Sequence, residues 1–418
     1  MWYDKRIPIS KPLNFLNLLL EERKVAFPYV KITHTLCDRV VYDKPRIEPP
    51  PLNSTILTVL DVPSYLNLET AALSGLKMHK IPTYKGSLIT LKNYRNLDDY
   101  LKKNFSYSRR SKLRMYRKRL EQTFPITYKA FYGDIAKTEY DGIFEALHNM
   151  LDQRFAQKQT TNDDLQRWNV YLEKAYALIL KKEACLFVIY DGEKPISICL
   201  NLIFDKTIFG YIRAYDIDYS KFALGFTDLL VQLEWYFANG FEIFDLLKGE
   251  YDYKTKLTDG YYYFEKYLVY GTGSPITVLR GTCKLIGVKT FYSLYRLLKK
   301  WKVNTYYHKL RSVFHKKQVS QIEKCFEISD IDLVDYGDVK AKEPELTELD
   351  LYSDNLAFLR KPIYDFLYAN REHRNEVHVW GCPKKKDLFY IVGKTKVQQL
   401  VFNLPKENRI LEKTNMYN

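Results

Sequence analysis

The sequence predicts a mixed α+β fold, on three observations. Residues 206–254 read as strand, polar loop, helix, strand and polar loop, an alternation that layers helices on a sheet. Just before them, the apolar runs 184–190 and 196–204 are joined by Asp191-Gly192, a two-residue hairpin signal. Two helical stretches, near 137–157 and 163–182, follow a first strand at 124–131. The resulting order is strand, two helices, three antiparallel strands, helix, strand.

The elements follow in chain order. Residues 1–95 give strand-like runs at 55–62 and 88–91, with Pro49, Pro50 and Pro51 marking a loop or linker. From 96 to 122 the pattern is helical, with Asp98 and Asp99 at the start where the helix dipole favours acids. That stretch turns basic through Lys102, Lys103, Arg109, Arg110, Lys112 and Arg114 and on to Arg119, read either as a phosphate-binding patch or as a solvated helix face. Residues 208–215 are rich in aromatic and β-branched side chains and form the central strand. Gly225 opens a helix whose Phe226, Leu229, Leu230, Leu233 and Phe237 share a face, and Gly240 ends it. Residues 241–247 are a short buried strand broken by Glu242 and Asp245. Past its carboxyl end come Lys248, Gly249, Glu250, Tyr251, Asp252, Tyr253 and Lys254, the place where open α/β sheets put their chemistry. Residues 261–270 supply one more strand. From Arg280 to Lys317 there are eleven Lys or Arg and no acid, interleaved with apolar residues. That segment is either a helix packed on the domain or one lying on an anionic membrane. The acids of 327–354 are able to neutralise it from within the chain. Strand-like runs at 388–392 and 397–403 end the chain in a small α+β appendage.

Phe244-Asp245, Gly249-Glu250 and Tyr253-Lys254 together resemble the signature of a GNAT-superfamily acetyltransferase domain found in proteins linked to cellulose and exopolysaccharide biosynthesis, a relative of the FemAB peptidyltransferases. The loop 220–225 is similar to that family's entry to its acyl-CoA helix, although of the usual Arg or Gln, Gly, any residue, Gly or Ala only Gly225 is present. The resemblance covers residues 100 to 270. It implies a GNAT acyl-CoA acyltransferase fold in tandem: a degenerate GNAT-like half at 1–95, a catalytic domain at 96–275 with its basic entry helix, a basic amphipathic segment at 276–320 and an accessory α+β region at 321–418.

The same resemblance implies acetyl-CoA or another acyl-CoA as co-substrate and no metal. A helix N-terminus suits a pyrophosphate, which assigns cofactor binding to Gly225, Phe226 and Thr227, with Lys221 adding charge. Arg213, Ala214 and Tyr215 are the strand along which a pantetheine arm pairs. Asp245 and Glu250 are candidate general bases for an acceptor amine, with a structural reading open for each: Asp245 accepting amide bonds from the next loop, Glu250 pairing with Lys254. Tyr253 is the candidate acid for the leaving thiolate. Lys248 and Lys254 are candidates for holding an anionic group of the acceptor. The function implied is an N- or O-acyltransferase acting on an amino sugar, glycan precursor or small amine. The alternatives are a FemAB-like aminoacyl-tRNA-dependent peptidyltransferase and a degenerate scaffold that binds anionic lipid or a polysaccharide-synthesis complex.

Composition narrows the classes. A formal charge of +15 favours anionic partners without choosing one. Nothing resembles a helix-turn-helix, zinc or RRM signature, so sequence-specific nucleic-acid regulation is disfavoured. Six scattered cysteines with no CxxC pair argue for reduced thiols in a cytoplasmic setting. The apolar patch 13–20 runs into Glu21 and Glu22 and fails as a signal peptide. The 36 tyrosines fit either sugar stacking or a compositional habit.

Overall fold

The computed structural model describes residues 12–25, 29–44, 56–70, 75–158, 165, 167–249, 252–300, 327–334, 346–350 and 356–403. The first part of the chain supplies strands β1 (Leu13–Asn14), β2 (Tyr29–His34), β3 (Arg39–Asp43), β4 (Ile56–Pro63), β5 (Leu66–Thr70) and β6 (Leu76–Ile89). Helices α1 (Leu97–Asn104) and α2 (Tyr107–Thr123) follow, then β7 (Ile126–Phe131), α3 (Lys137–Lys158) and α4 (Trp168–Leu180). Next come β8 (Ala184–Asp191), β9 (Lys194–Phe204), β10 (Thr207–Tyr215), α5 (Leu224–Ala238), β11 (Ile243–Lys248), α6 (Asp252–Leu257) and β12 (Gly260–Gly271). The long helix α7 (Pro275–Lys300) leads to the last unit: β13 (Glu327–Val334), β14 (Thr347–Leu349), α8 (Ala357–Asn370), β15 (His378–Cys382), β16 (Lys385–Val392) and β17 (Val397–Asn403).

The expected strand, two helices, three strands, helix, strand is present as β7, α3, α4, β8 to β10, α5 and β11. These strands lie in one nine-stranded sheet of order β1-β4-β12-β6-β11-β10-β9-β8-β7. Residues 1–95 contribute β1, β4 and β6 to that same sheet and pair β2 with β3 and β5 in a second, three-stranded one. Of the short run expected at 88–91, Leu88 and Ile89 end the 14-residue β6 and Leu91 begins a 3-10 turn; β6 carries Lys, His, Pro and Gly yet pairs along almost all of β12. Cross-strand partners there outweigh local propensity. The single helix expected from 96 to 122 is two: Phe105 is extended, and Ser106 caps the second by accepting from the Arg109 amide.

Helices cover both faces. On one, Phe144, Leu147 and Ile179 of α3 and α4 pack on Leu186, Leu200 and Phe209 of the sheet. On the other, Tyr100, Leu113, Leu229 and Leu233 of α1, α2 and α5 meet Phe187, Ile208 and Phe244. The C-terminal unit is a five-stranded sheet of order β13-β17-β16-β15-β14 with α8 against it. Helix α8 also packs on the turn Ile217–Phe222 that precedes α5, so a single apolar cluster joins the two units. At that junction Arg374 donates to both oxygens of buried Asp191 at 2.8 and 2.9 Å, and the Tyr219 hydroxyl donates to the same carboxylate at 2.7 Å.

Candidate functional site

Strands β10 and β11 run parallel for three rungs, Thr207–Ile243, Ile208–Phe244 and Phe209–Asp245, and then separate. β10 stays with β9 as far as Tyr215, its register shifting between Gly210 and Ile212. β11 bends away through Leu247 and Gly249, both at positive φ, and its register against β6 shifts between Asp245 and Lys248. A bulge on each arm opens a fork, and from Gly210 onward the inner edge of β10 has no strand partner among the described residues.

Asp245 sits on the last rung, at the crotch of the fork, and is fully buried. Its carboxylate accepts from the Tyr65 hydroxyl at 2.5 Å, from the Tyr262 hydroxyl at 2.7 and 2.8 Å, and from the Leu247 amide at 2.7 Å. Gly86 makes room for this: a Cβ there would fall 2.3 Å from the Tyr262 ring. Tyr65 is wedged between His34 and Tyr262, each ring centroid 4.9 Å away, and His34 Nε2 reaches Thr207 Oγ1 at 3.1 Å. Burial pushes the Asp245 carboxyl up to about 6, against the pull of its hydrogen bonds and of Lys254.

Lys254 closes the bend from the other side. Its ammonium is buried and donates to the carbonyls of Leu246 at 2.5 Å and Lys248 at 2.6 Å. Burial lowers it to about 8 while Asp245 acts to raise it. The two charged ends of the signature thus face one another across the turn they shape. Two of the three Lys254 ammonium protons go to carbonyls of its own chain, which supports a structural role for Lys254 beside the expected holding of a substrate anion. The geometry also favours the structural reading of Asp245, whose carboxylate meets hydroxyls and an amide of this chain and no solvent. Lys248 is half-exposed at the mouth, paired with Asp61, its Nζ 5.4 Å from the Tyr84 ring and 5.3 Å from that of Phe264. Glu250 lies outside the described residues, as does the side chain of Tyr253.

The other arm meets α5. Arg213 ties it to that helix, ion-paired with Asp228 at 2.7 Å and donating to the Gly225 carbonyl. Asp228 in turn accepts from Cys199 at 3.1 Å and Gln232 at 2.9 Å, and Gln232 accepts from Asn201 and Tyr236. Arg213 is therefore a strut between strand and helix, and Ala214 is buried beside it. The helix starts one residue earlier than expected, after Ala223 at φ +50. In consequence the amides of Phe226 and Thr227 are already bonded to the Ala223 carbonyl, and those without an acceptor among the described residues belong to Leu224 and Gly225. Thr227 is buried with its hydroxyl unpartnered. Lys221 is exposed beside them, and the Tyr215 ring lies 3.2 Å from where a Gly225 Cβ would stand.

Sequence reasoning missed Tyr65, Tyr262, Asp228 and Gln232. The last two carried a signal, an acid and an amide four residues apart on an otherwise apolar helix; the tyrosines carried none. The basic stretch 102–119 proves largely engaged with its own chain: Arg114 with Asp98, Arg117 with Glu121 and Glu234, Arg119 over the Tyr368 ring. Among the described residues there is no group of three or more His, Cys, Asp or Glu able to hold a metal.

Strand order and fork define a GNAT-type acyltransferase fold. The family comparison points the same way: residues 107–255 match the model of the Acetyltransferase (GNAT) domain. No curated protein matches the sequence. Solved structures with some likeness include FemX (12% identity, 54% of this chain and 74% of that one, TM-score 0.37). Others are L-PGS from Bacillus licheniformis (14%, 56% and 73%, TM-score 0.33) and a GCN5-related N-acetyltransferase from Sphaerobacter thermophilus (12%, 52% and 61%, TM-score 0.27). These likenesses are shallow and bear on no residue of the site.

Proposed function

We propose that this protein transfers an acyl group from an acyl-CoA, acetyl-CoA in the simplest case, to nitrogen or oxygen of an amino sugar, glycan precursor or small amine, in polysaccharide or cell-envelope biosynthesis. The observation that carries the reading is the unpaired inner edge of β10 leading from the fork to the N-terminus of α5. An extended amide-bearing arm pairs along such an edge as a strand does, and a helix N-terminus with free amides receives phosphate. The residues fit that ligand: Leu224 and Gly225 offer their amides, Lys221 adds a cation, and Gly225 leaves room beside the Tyr215 ring that a Cβ would narrow.

When bound, acyl-CoA supplies the activated thioester. The chain supplies geometry. Asp245, Tyr65 and Tyr262 hold the crotch rigid, while the Asp245–Lys254 pair fixes the bend that carries Lys248 to the mouth. Asp245 acts as a positioning residue, since it reaches no acceptor from its buried place. Glu250, two residues beyond Lys248, stands as the candidate general base, and Tyr253 as the candidate acid for the thiolate.

A thermal shift tests this, comparing acetyl-CoA, CoA and inorganic pyrophosphate at fixed salt. A ligand held only by the native state stabilises it by roughly 2.7 kcal/mol at a hundredfold excess over Kd. A rise with acetyl-CoA that survives added salt and is absent with pyrophosphate is expected; no rise with either CoA species overturns the reading.

A further inference from the structure

Helix α7 packs one side on the sheet and turns the other outward, uncovered among the described residues. Thr277, Gly281, Leu285 and Tyr292 lie inward, and Gly281 sits so close to β12 that a Cβ would come within 2.7 Å of the Tyr270 ring. The outward side carries Ile276, Leu279, Ile286, Phe291, Leu294 and Leu297, the first four between 59 and 65% exposed. At 1.5 Å per residue the strip from Ile276 to Leu297 is about 32 Å long. A contiguous exposed apolar strip of that length marks a docking surface.

We propose that this face of α7 docks on an anionic lipid surface. Charge selects the occupant. The helix contains six Lys or Arg and no Asp or Glu, and Arg280, Lys289 and Lys300 are exposed on or beside the strip. Apolar side chains flanked by cations match acyl chains below phosphate headgroups. A second copy paired symmetrically through the same strip would bring Arg280, Lys289 and Lys300 against their own counterparts, which opposes association. The strip is also the convex side of a single helix and offers no groove for a partner's anchoring side chains. Among the described residues no helix is long and apolar enough to cross a membrane, so the contact is peripheral.

The contact would set the fork near the lipid. Tyr84, whose ring lies 5.4 Å from Lys248 Nζ, packs edge-on against Tyr292 and Tyr295 of α7 at 5.6 and 5.5 Å. The docking itself is independent of which acyl transfer the fork performs.

Co-sedimentation of the full chain tests the proposal, with vesicles of three parts phosphatidylcholine to one part phosphatidylglycerol and with phosphatidylcholine alone. Binding to the anionic vesicles about tenfold tighter than to the neutral ones is expected, weakened by salt. The exposed double substitution Ile286→Asp with Phe291→Asp should abolish it with an unchanged melting temperature, and Arg280→Glu with Lys289→Glu should weaken it. The idea is overturned by a wild-type chain that stays in the supernatant, by undiminished binding of the Ile286→Asp/Phe291→Asp chain, or by sedimentation velocity showing that those substitutions dissolve a dimer instead.

Discussion

Replacing Asp245 by Asn makes neutral a group that the fold holds partly protonated, and its consequence depends on pH. The carboxyl lies at about 6 in the folded protein against an ordinary 3.8. Between those values the native state binds more proton than the unfolded chain, so this group's contribution to stability is fully present below pH 4 and lost as the pH rises through about 6. Integrated from pH 4.5 to 7, the loss is about 2 kcal/mol. The substituted carboxamide does not titrate and escapes it. The fixed cost of asking Tyr65 and Tyr262 to reorient around a carboxamide is the same at both pH values and cancels. For a cooperative unit of about 250 residues, 2 kcal/mol corresponds to ~4 °C. Urea melts of both chains at the two pH values and equal salt give the number. The advantage of wild type over Asp245→Asn should shrink by about 2 kcal/mol from pH 4.5 to 7. A difference that does not change with pH refutes the reasoning, because it means that the buried carboxyl titrates as an ordinary one. The same pair of proteins separates positioning from base catalysis: loss of a general base costs roughly 10²-fold or more, whereas the buried placement predicts that turnover falls by less than about tenfold.

Two further changes probe the surroundings. Lys254→Met leaves the carbonyls of Leu246 and Lys248 without their donor and the Asp245 charge without its partner; a loss of about 3 kcal/mol in a urea melt is expected, together with loss of any acyl-CoA-dependent turnover as the bend relaxes. Arg374→Ala leaves the buried Asp191 with the Tyr219 hydroxyl as its one side-chain partner among the described residues, at a similar cost of about 3 kcal/mol. Because Asp191 joins the two units, limited proteolysis should then cut the C-terminal unit sooner than it cuts the nine-stranded sheet, and equal rates would refute the role of that latch.

The parts of the fold that were legible in the sequence are those whose evidence is local. β8, Asp191-Gly192 and β9 announce themselves within about twenty residues, and an apolar helix between two apolar strands places α5. β2, β3, β5 and most of β6 carry no such pattern, because their order comes from partners far along the chain. The site divides in the same way. Asp245 stood out as an acid in an apolar strand, but Tyr65 lies 180 residues away and is one tyrosine among 36, so nothing local distinguishes it. In the basic stretch 102–119 a strong local signal serves the fold as well: Arg117 pairs with Glu234 of α5, and Arg119 lies over the Tyr368 ring of α8.

The signature itself gains a physical account. Neither a carboxylate at full burial nor an ammonium with almost no exposure is tolerable alone. Nine residues apart, with Gly249 at φ +105 between them, they compensate one another across a bend whose carbonyls and amides they also satisfy. A strand that ended without this device would leave the buried Leu246 carbonyl and the half-exposed Lys248 carbonyl without the Lys254 donor. The spacing from Asp245 to Lys254 is therefore first a way of opening a sheet, and only through that opening a way of placing chemistry.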